Sequence, residues 1–99
     1  MTQVVWLDAA LGDLKEIGRY IASEDPAAAY RTLVKIEAAA NSLQHSPQLG
    51  RSGRVPKTRE LIVPGLPYIL PYYIKDREVR ILAVMHASRK WPDDFSNQQ

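Results

Sequence analysis

The spacing of apolar positions changes period twice along the chain. "QVVWL" (3–7) is a short run rich in β-branched and aromatic residues, which predicts a strand. Leu11, Leu14, Ile17, Gly18 and Ile21 then recur at three- and four-residue steps, the signature of one apolar helical face. Asp13, Lys15, Glu16 and Arg19 lie off that stripe. Asp8 is placed to cap this helix, because a carboxylate there can accept from the free amides of the first turn. "SEDP" (23–26) punctuates the chain, with Asp25 as the cap of a second helix and Pro26 at its first position. That helix carries Tyr30, Leu33, Ile36, Ala40 and Leu43 on one stripe, and its alanines favour the helical state. It is expected to end near His45, since Pro47 disfavours helical geometry in Ser46. Two helices joined so closely form an antiparallel hairpin. Trp6 and Tyr30 are assigned to the core.

Beyond the hairpin the period shortens. "PQLGRSGRVP" (47–56) reads as a loop, with two glycines, two prolines and two arginines. "KTRELIV" (57–63) predicts a strand that places Lys57, Arg59, Leu61 and Val63 on one face. "PGLP" (64–67) is a turn and "YILPYYI" (68–74) a second strand, with Tyr68 and Tyr72 on one face and Tyr73 on the other. Pro71 has no N–H for a ladder, so that side of it must meet an edge, a bulge or solvent. "KDRE" (75–78) is a further turn, and "VRILAVMH" (79–86) is apolar on both faces, as expected of a central strand. The opening strand has no partner near it in sequence and must join the later sheet. The expected architecture is a two-layer α+β domain, β-α-α-β-β-β, with the hairpin packed on an antiparallel-rich four-stranded sheet. One domain over 1–95 and a disordered tail over 96–99 complete this reading.

Composition narrows the possibilities. The chain has 99 residues, 45% apolar and 24% charged, as in an ordinary globular domain. It contains no cysteine, which removes disulfides and thiolate chemistry, and its two histidines do not have metal-ligand spacing. Neither a metal nor a cofactor is expected. A basic n-region and a long apolar core are missing at the start, and no run approaches the roughly 20 residues of a membrane span. The expectation is therefore a cytoplasmic protein. Charge is distributed unevenly: residues 1–50 carry four Lys/Arg against six Asp/Glu, and residues 51–99 carry nine against five. A basic half on an acidic half suggests one polyanion-facing side, or simply a solvated basic surface.

The chemistry-bearing residues gather in the basic half. His86 closes an apolar strand and is followed by Arg89, Lys90 and Trp91 in "LAVMHASRKWP". Such a histidine suits proton transfer or phosphate binding, though a lone one more often marks a strand end satisfied by a carbonyl. His45 suits a helix C-terminus. Arg51, Arg54, Lys57 and Arg59 form a run without an acid until Glu60, able to grip phosphates bidentately or to meet an acidic protein partner. Tyr68, Tyr72, Tyr73 and Trp91 could stack bases or fill core. Catalysis by Arg, Lys, His and Tyr alone suits phosphodiester cleavage without a metal. One group takes the 2′-hydroxyl proton, cations stabilise the phosphorane, and another group protonates the leaving oxygen.

The ordered set of "DLKEIGRYIASEDPAAA", "LQHSPQLGR", "TRELIV", "PYILPYYI" and "VRILAVMHASRKW" resembles the RelE/ParE superfamily of bacterial type II toxins. The resemblance covers nearly the whole chain. It implies a toxin that arrests growth and is neutralised by a cognate antitoxin, with the pair binding operator DNA only through the antitoxin. It also implies one of two targets. RelE-like members cut mRNA in the ribosomal A site; ParE-like members poison DNA gyrase. "DPAAA" and the late histidine look ParE-like, while "RSGRVPKTR" and "HASRKW" are compatible with a RelE-type site. For RNA cleavage the positions matching by region are Lys57, Arg59, Tyr68, His86 and Arg89. Arg51, Arg54, Lys90 and Trp91 would then bind nucleic acid or another target. The arginine that RelE-like members carry early in the third strand has no match, since Pro67 and Tyr68 stand there. A degenerate toxin that binds only its antitoxin is the milder alternative. In each case an apolar groove between hairpin and sheet should accept an antitoxin helix, and an exposed sheet edge an antitoxin strand.

Overall fold

The structure is a computed structural model that describes residues 2–88. Strand β1 (Gln3–Trp6) leads into helix α1 (Asp8–Ala22), helix α2 (Pro26–Asn41) and a single 3-10 turn at Ser42–Gln44. Strands β2 (Arg51–Ser52), β3 (Arg59–Ile62), β4 (Tyr68–Lys75), β5 (Glu78–Ile81) and β6 (Met85–His86) follow. They pair in the order β1-β5-β4-β3-β2, with β6 also on β4. All pairs are antiparallel except β1 with β5, which run parallel in the register Gln3 to Glu78. The α+β architecture is as expected. The sheet has six strands instead of four because the 47–56 loop contains a two-residue strand and the last strand is split.

The split follows from Pro71. Tyr72 pairs with Ile81 and Ile69 with Met85, so two residues of β4 face three of the opposite strand, 82–84. That extra residue is a bulge, placed where β4 lacks an amide to offer. The Pro71 carbonyl still accepts from the Leu82 amide at 2.8 Å. The Val84 amide is taken by the Asp13 carboxylate of α1 at 3.0 Å. Asp13 thus ties the helical hairpin to the bulge, a role its place off the apolar stripe did not suggest.

The hairpin covers one sheet face. Ala10 from α1, Ile36 and Ala40 from α2 and Leu43 from the 3-10 turn pack on Leu61, Val63, Leu70, Tyr72, Val79 and Ile81. Fully burying each larger apolar side chain contributes about 1.5–3 kcal/mol. Gly18 lets the helices approach, because a Cβ there would stand 3.1 Å from a Leu33 methyl. The Asp25 carboxylate caps α2, accepting from the Ala28 amide at 3.1 Å. Asp8, by contrast, is not a cap: α1 starts one residue earlier than expected, with Leu7 at the cap and Asp8 in the first turn. Trp6 packs against the core as expected. Tyr30 does not; it is 72% exposed, because the core-facing line of α2 runs through Ala29, Ile36 and Ala40.

Between β4 and β5 the chain reverses in two residues. Asp76 and Arg77 both have positive φ (54° and 62°), the geometry that matches the right-handed twist of a two-residue hairpin. Lys57 also has positive φ (68°) and lies before β3, so it is not on the strand face with Arg59, Leu61 and Val63 as expected. No described helix is long and apolar enough to cross a membrane.

Candidate functional site

Two regions contain the residues singled out in the sequence. The first is the loop and short strands over 47–60. Glu60 on β3 carries a side chain only 1% exposed, and the arginines on either side of the Gly53 turn come to it. Arg51 Nη2 donates to Oε1 at 3.2 Å; the Arg54 amide and its Nε approach Oε2 at 3.1 and 3.4 Å. A buried carboxylate needs such partners, because leaving it uncompensated is far costlier than any single contact returns. Arg59 points from β3 into the same loop, where Nη1 donates to the carbonyls of Gln48 (3.2 Å) and Gly50 (2.8 Å). Beside it the buried Tyr72 hydroxyl donates to the Pro47 carbonyl at 2.7 Å and accepts from the Gly50 amide at 2.9 Å. Burial raises the Tyr72 pKa, against smaller lowering effects from the Gly50 amide and the Arg59 charge.

The second region is at the other end of β4. Tyr68 pairs with His86 across β4 and β6, and their rings meet edge to face with centroids 6.1 Å apart. His86 is exposed, and its Nδ1 lies 2.8 Å from the Ser88 hydroxyl. Arg59 stands opposite Tyr72, four positions along β4 from Tyr68, or roughly 13 Å at 3.3 Å per residue. The structure therefore joins Tyr68 with His86, and Arg51 with Arg54, but places Arg59 in a different cluster from Tyr68. Lys57 is exposed on its turn. Arg89, Lys90 and Trp91, and the expected tail at 96–99, lie outside the described residues.

Between these elements and α2 runs a largely apolar groove of about 770 Å³. Lys35, Ala38, Ala39 and Ser42 form its α2 side; Leu49, Gly50 and Arg51 form its loop side. Glu60, Leu61, Ile62 and Pro64 line the part nearest the sheet. Strand β2 ends at its pairing of Arg51 with Glu60. Leu61 pairs inward with Leu70 of β4, so the next residue, Ile62, turns its amide and carbonyl away from β4, towards this side. Sequence reasoning anticipated a groove between hairpin and sheet, and an open edge without saying which strand carries it. The signal available was the small-residue run "AAANS" (38–42) on α2 facing a strand. Among the described residues no cluster of His, Asp or Glu could hold a metal ion.

The family described as the ParE toxin of the type II toxin-antitoxin system, parDE, matches residues 4–91. The chain belongs to the ParE toxin family. Among its relatives, the protein Y4kP of Sinorhizobium fredii is 47% identical over 90 residues, spanning 91% of this chain and 93% of that protein. Toxin RelE2 of Caulobacter vibrioides is 39% identical over 89 residues, spanning 90% and 99%. Among solved structures, the chromosomal ParDE toxin-antitoxin system from P. aeruginosa superimposes with a TM-score of 0.79 at 27% identity, covering 87% of this chain and 96% of that one. The intact RelBE toxin-antitoxin complex of E. coli shares the fold, with a TM-score of 0.56 at 17% identity over 90% and 100% of the two chains. Membership of the ParE family fits a core built on the β1–β5 pairing and the hairpin, which the matched span covers but for Gln3.

Proposed function

We propose that this chain arrests bacterial growth in the cytoplasm by binding a protein target in the manner of ParE-like poisons of DNA gyrase, without cleaving RNA. The observation that carries the reading is the placement of the described basic groups. Arg51 and Arg54 are drawn onto the buried Glu60, and Arg59 is spent on loop carbonyls. Stabilising a phosphorane needs cations at the phosphate oxygens, within reach of the group that takes the proton, and Tyr68 and His86 stand roughly four residues of strand away from Arg59. The contact of Tyr68 with His86 keeps mRNA cleavage as the second reading, with Lys57 and Arg89 as further candidates.

Neutralisation is by a cognate antitoxin, and the groove between α2 and β3 is its seat. The relatives solved as the ParDE system and the RelBE complex support a partner of this kind. The groove is largely apolar, carries Lys35 on its α2 wall, has Arg51 already paired with Glu60 on the other, and borders the open edge at Ile62. It suits an apolar segment that carries a carboxylate. Operator DNA is reached only through the antitoxin.

A short induction of the protein alone tests the target, with mRNA 5′ ends mapped and a DNA-damage reporter scored in the same cells. The expected result is intact mRNA with a strong reporter, unchanged in His86→Ala. New cuts inside translated codons with a silent reporter, abolished in His86→Ala, would overturn the proposal in favour of the second reading.

A further inference from the structure

The segment 47–50 has no ladder of its own, yet four side-chain hydrogen bonds fasten it to the sheet. Tyr72 bridges Pro47 and Gly50, and Arg59 bridges Gln48 and Gly50. Gly50 is seated so tightly that a Cβ would come within 2.7 and 2.8 Å of the Tyr72 ring and hydroxyl and 3.0 Å from the Glu60 carbonyl. Between the fastened residues stands Leu49, itself 58% exposed on the groove's loop side. A leucine held in water adds little to the fold of the free chain. The restraint is useful to a partner, because a wall ordered in advance spares the association that ordering cost.

We infer that Tyr72 and Arg59 are positioning residues for antitoxin binding: they hold Leu49 as a preformed wall on which an apolar side chain of the antitoxin packs. The inference rests on the reading of the groove as the antitoxin's seat. Arg59 then acts through the loop and touches no substrate. Neither residue contacts the partner in this scheme; Leu49 does.

The test is a double-mutant cycle on the full chain, read as the affinity and association rate for the purified cognate antitoxin, with thermal midpoints in parallel. Leu49→Ala should weaken binding roughly tenfold to a hundredfold. Tyr72→Phe keeps the ring and removes both hydroxyl bonds; it should weaken binding about three- to tenfold and slow association. In the Leu49→Ala background Tyr72→Phe should change affinity less than about twofold, because the wall it positions is gone. Arg59→Met, which leaves Tyr72 in place, should behave in the same way and serves if Tyr72→Phe folds poorly. Additive effects in the cycle, or lower thermal midpoints with unchanged affinity, would overturn the inference and leave the latch purely structural. Ala38→Glu separates the two failures. If it blocks binding while the cycle is additive, the groove reading stands and the latch fails. If neither Ala38→Glu nor Leu49→Ala alters binding, the groove reading itself fails.

Discussion

Replacing Glu60 by glutamine removes a charge and turns one acceptor oxygen into a donor, at nearly constant shape. The side chain keeps its shape, and one oxygen can still accept from Arg51 at the 3.2 Å position. The amide nitrogen then faces the Arg54 amide, which now donates to Oε2 at 3.1 Å, and the Arg54 Nε at 3.4 Å. Two donors are opposed where a carboxylate had satisfied both. Losing one charge-assisted hydrogen bond costs about 1.5–3 kcal/mol, and leaving a donor unsatisfied about 1–3 kcal/mol. Arg51 and Arg54 have side chains 56% and 39% exposed, so water recovers part of this. A net loss of roughly 2–4 kcal/mol remains, a large fraction of the 5–15 kcal/mol typical of a whole domain. At roughly 4–8 °C per kcal/mol for a domain of this size, the thermal midpoint should fall by about 8–30 °C. Circular dichroism melts and urea titrations of the two proteins measure it, with an unchanged urea slope as the check on two-state unfolding. A Gln variant within about 0.5 kcal/mol of the parent would refute the reasoning. The arginines would then owe nothing to the carboxylate and would again be available to a phosphate.

Arg77→Gly should stabilise the fold by about 0.5–1 kcal/mol: relief of a left-handed residue, worth about 1–2 kcal/mol, exceeds the extra backbone entropy of glycine. A lower melting temperature would show that the turn is not strained. Above pH 10 the parent should lose stability faster than Tyr72→Phe. Burial raises the phenol's pKa in the folded state, so that contribution is intact below the unfolded value near 10. It is lost as pH climbs through the folded value; parallel urea midpoints for the two proteins from pH 9 to 11 would contradict this.

The features legible in the sequence were those governed by local spacing. The hairpin stripes, the Asp25 cap and the tyrosine-rich strand follow from period and capping chemistry, which act within a few residues. Tyr30 was misplaced because a helical stripe about 100° wide has edges, and alanines, not the aromatic, face the sheet there. The partner of each cation was hidden for another reason. Arg51 and Arg54 meet Glu60, Arg59 meets two carbonyls, and Asp13 meets an amide 71 positions away, all set by tertiary register. A run of basic residues looks the same in sequence whether its charges face solvent or one buried carboxylate. The groove was foreseen as a kind of feature, but its loop wall depends on Tyr72 reaching back 22 positions to Gly50.

The parallel pairing of β1 with β5 also sets an order of events in synthesis. Gln3 finds its ladder partner only when Glu78 exists. At translation rates of roughly 5–20 residues per second, that leaves the first strand without its partner for about 4–15 seconds. The α2 and β3 walls of the groove are encoded earlier, and its whole lining falls between Lys35 and Pro64. Closing a contact between chain ends is the slow kind of step in folding. Refolding kinetics should therefore respond most strongly to changes at Val4 and Val79, register partners that join the two ends of the chain.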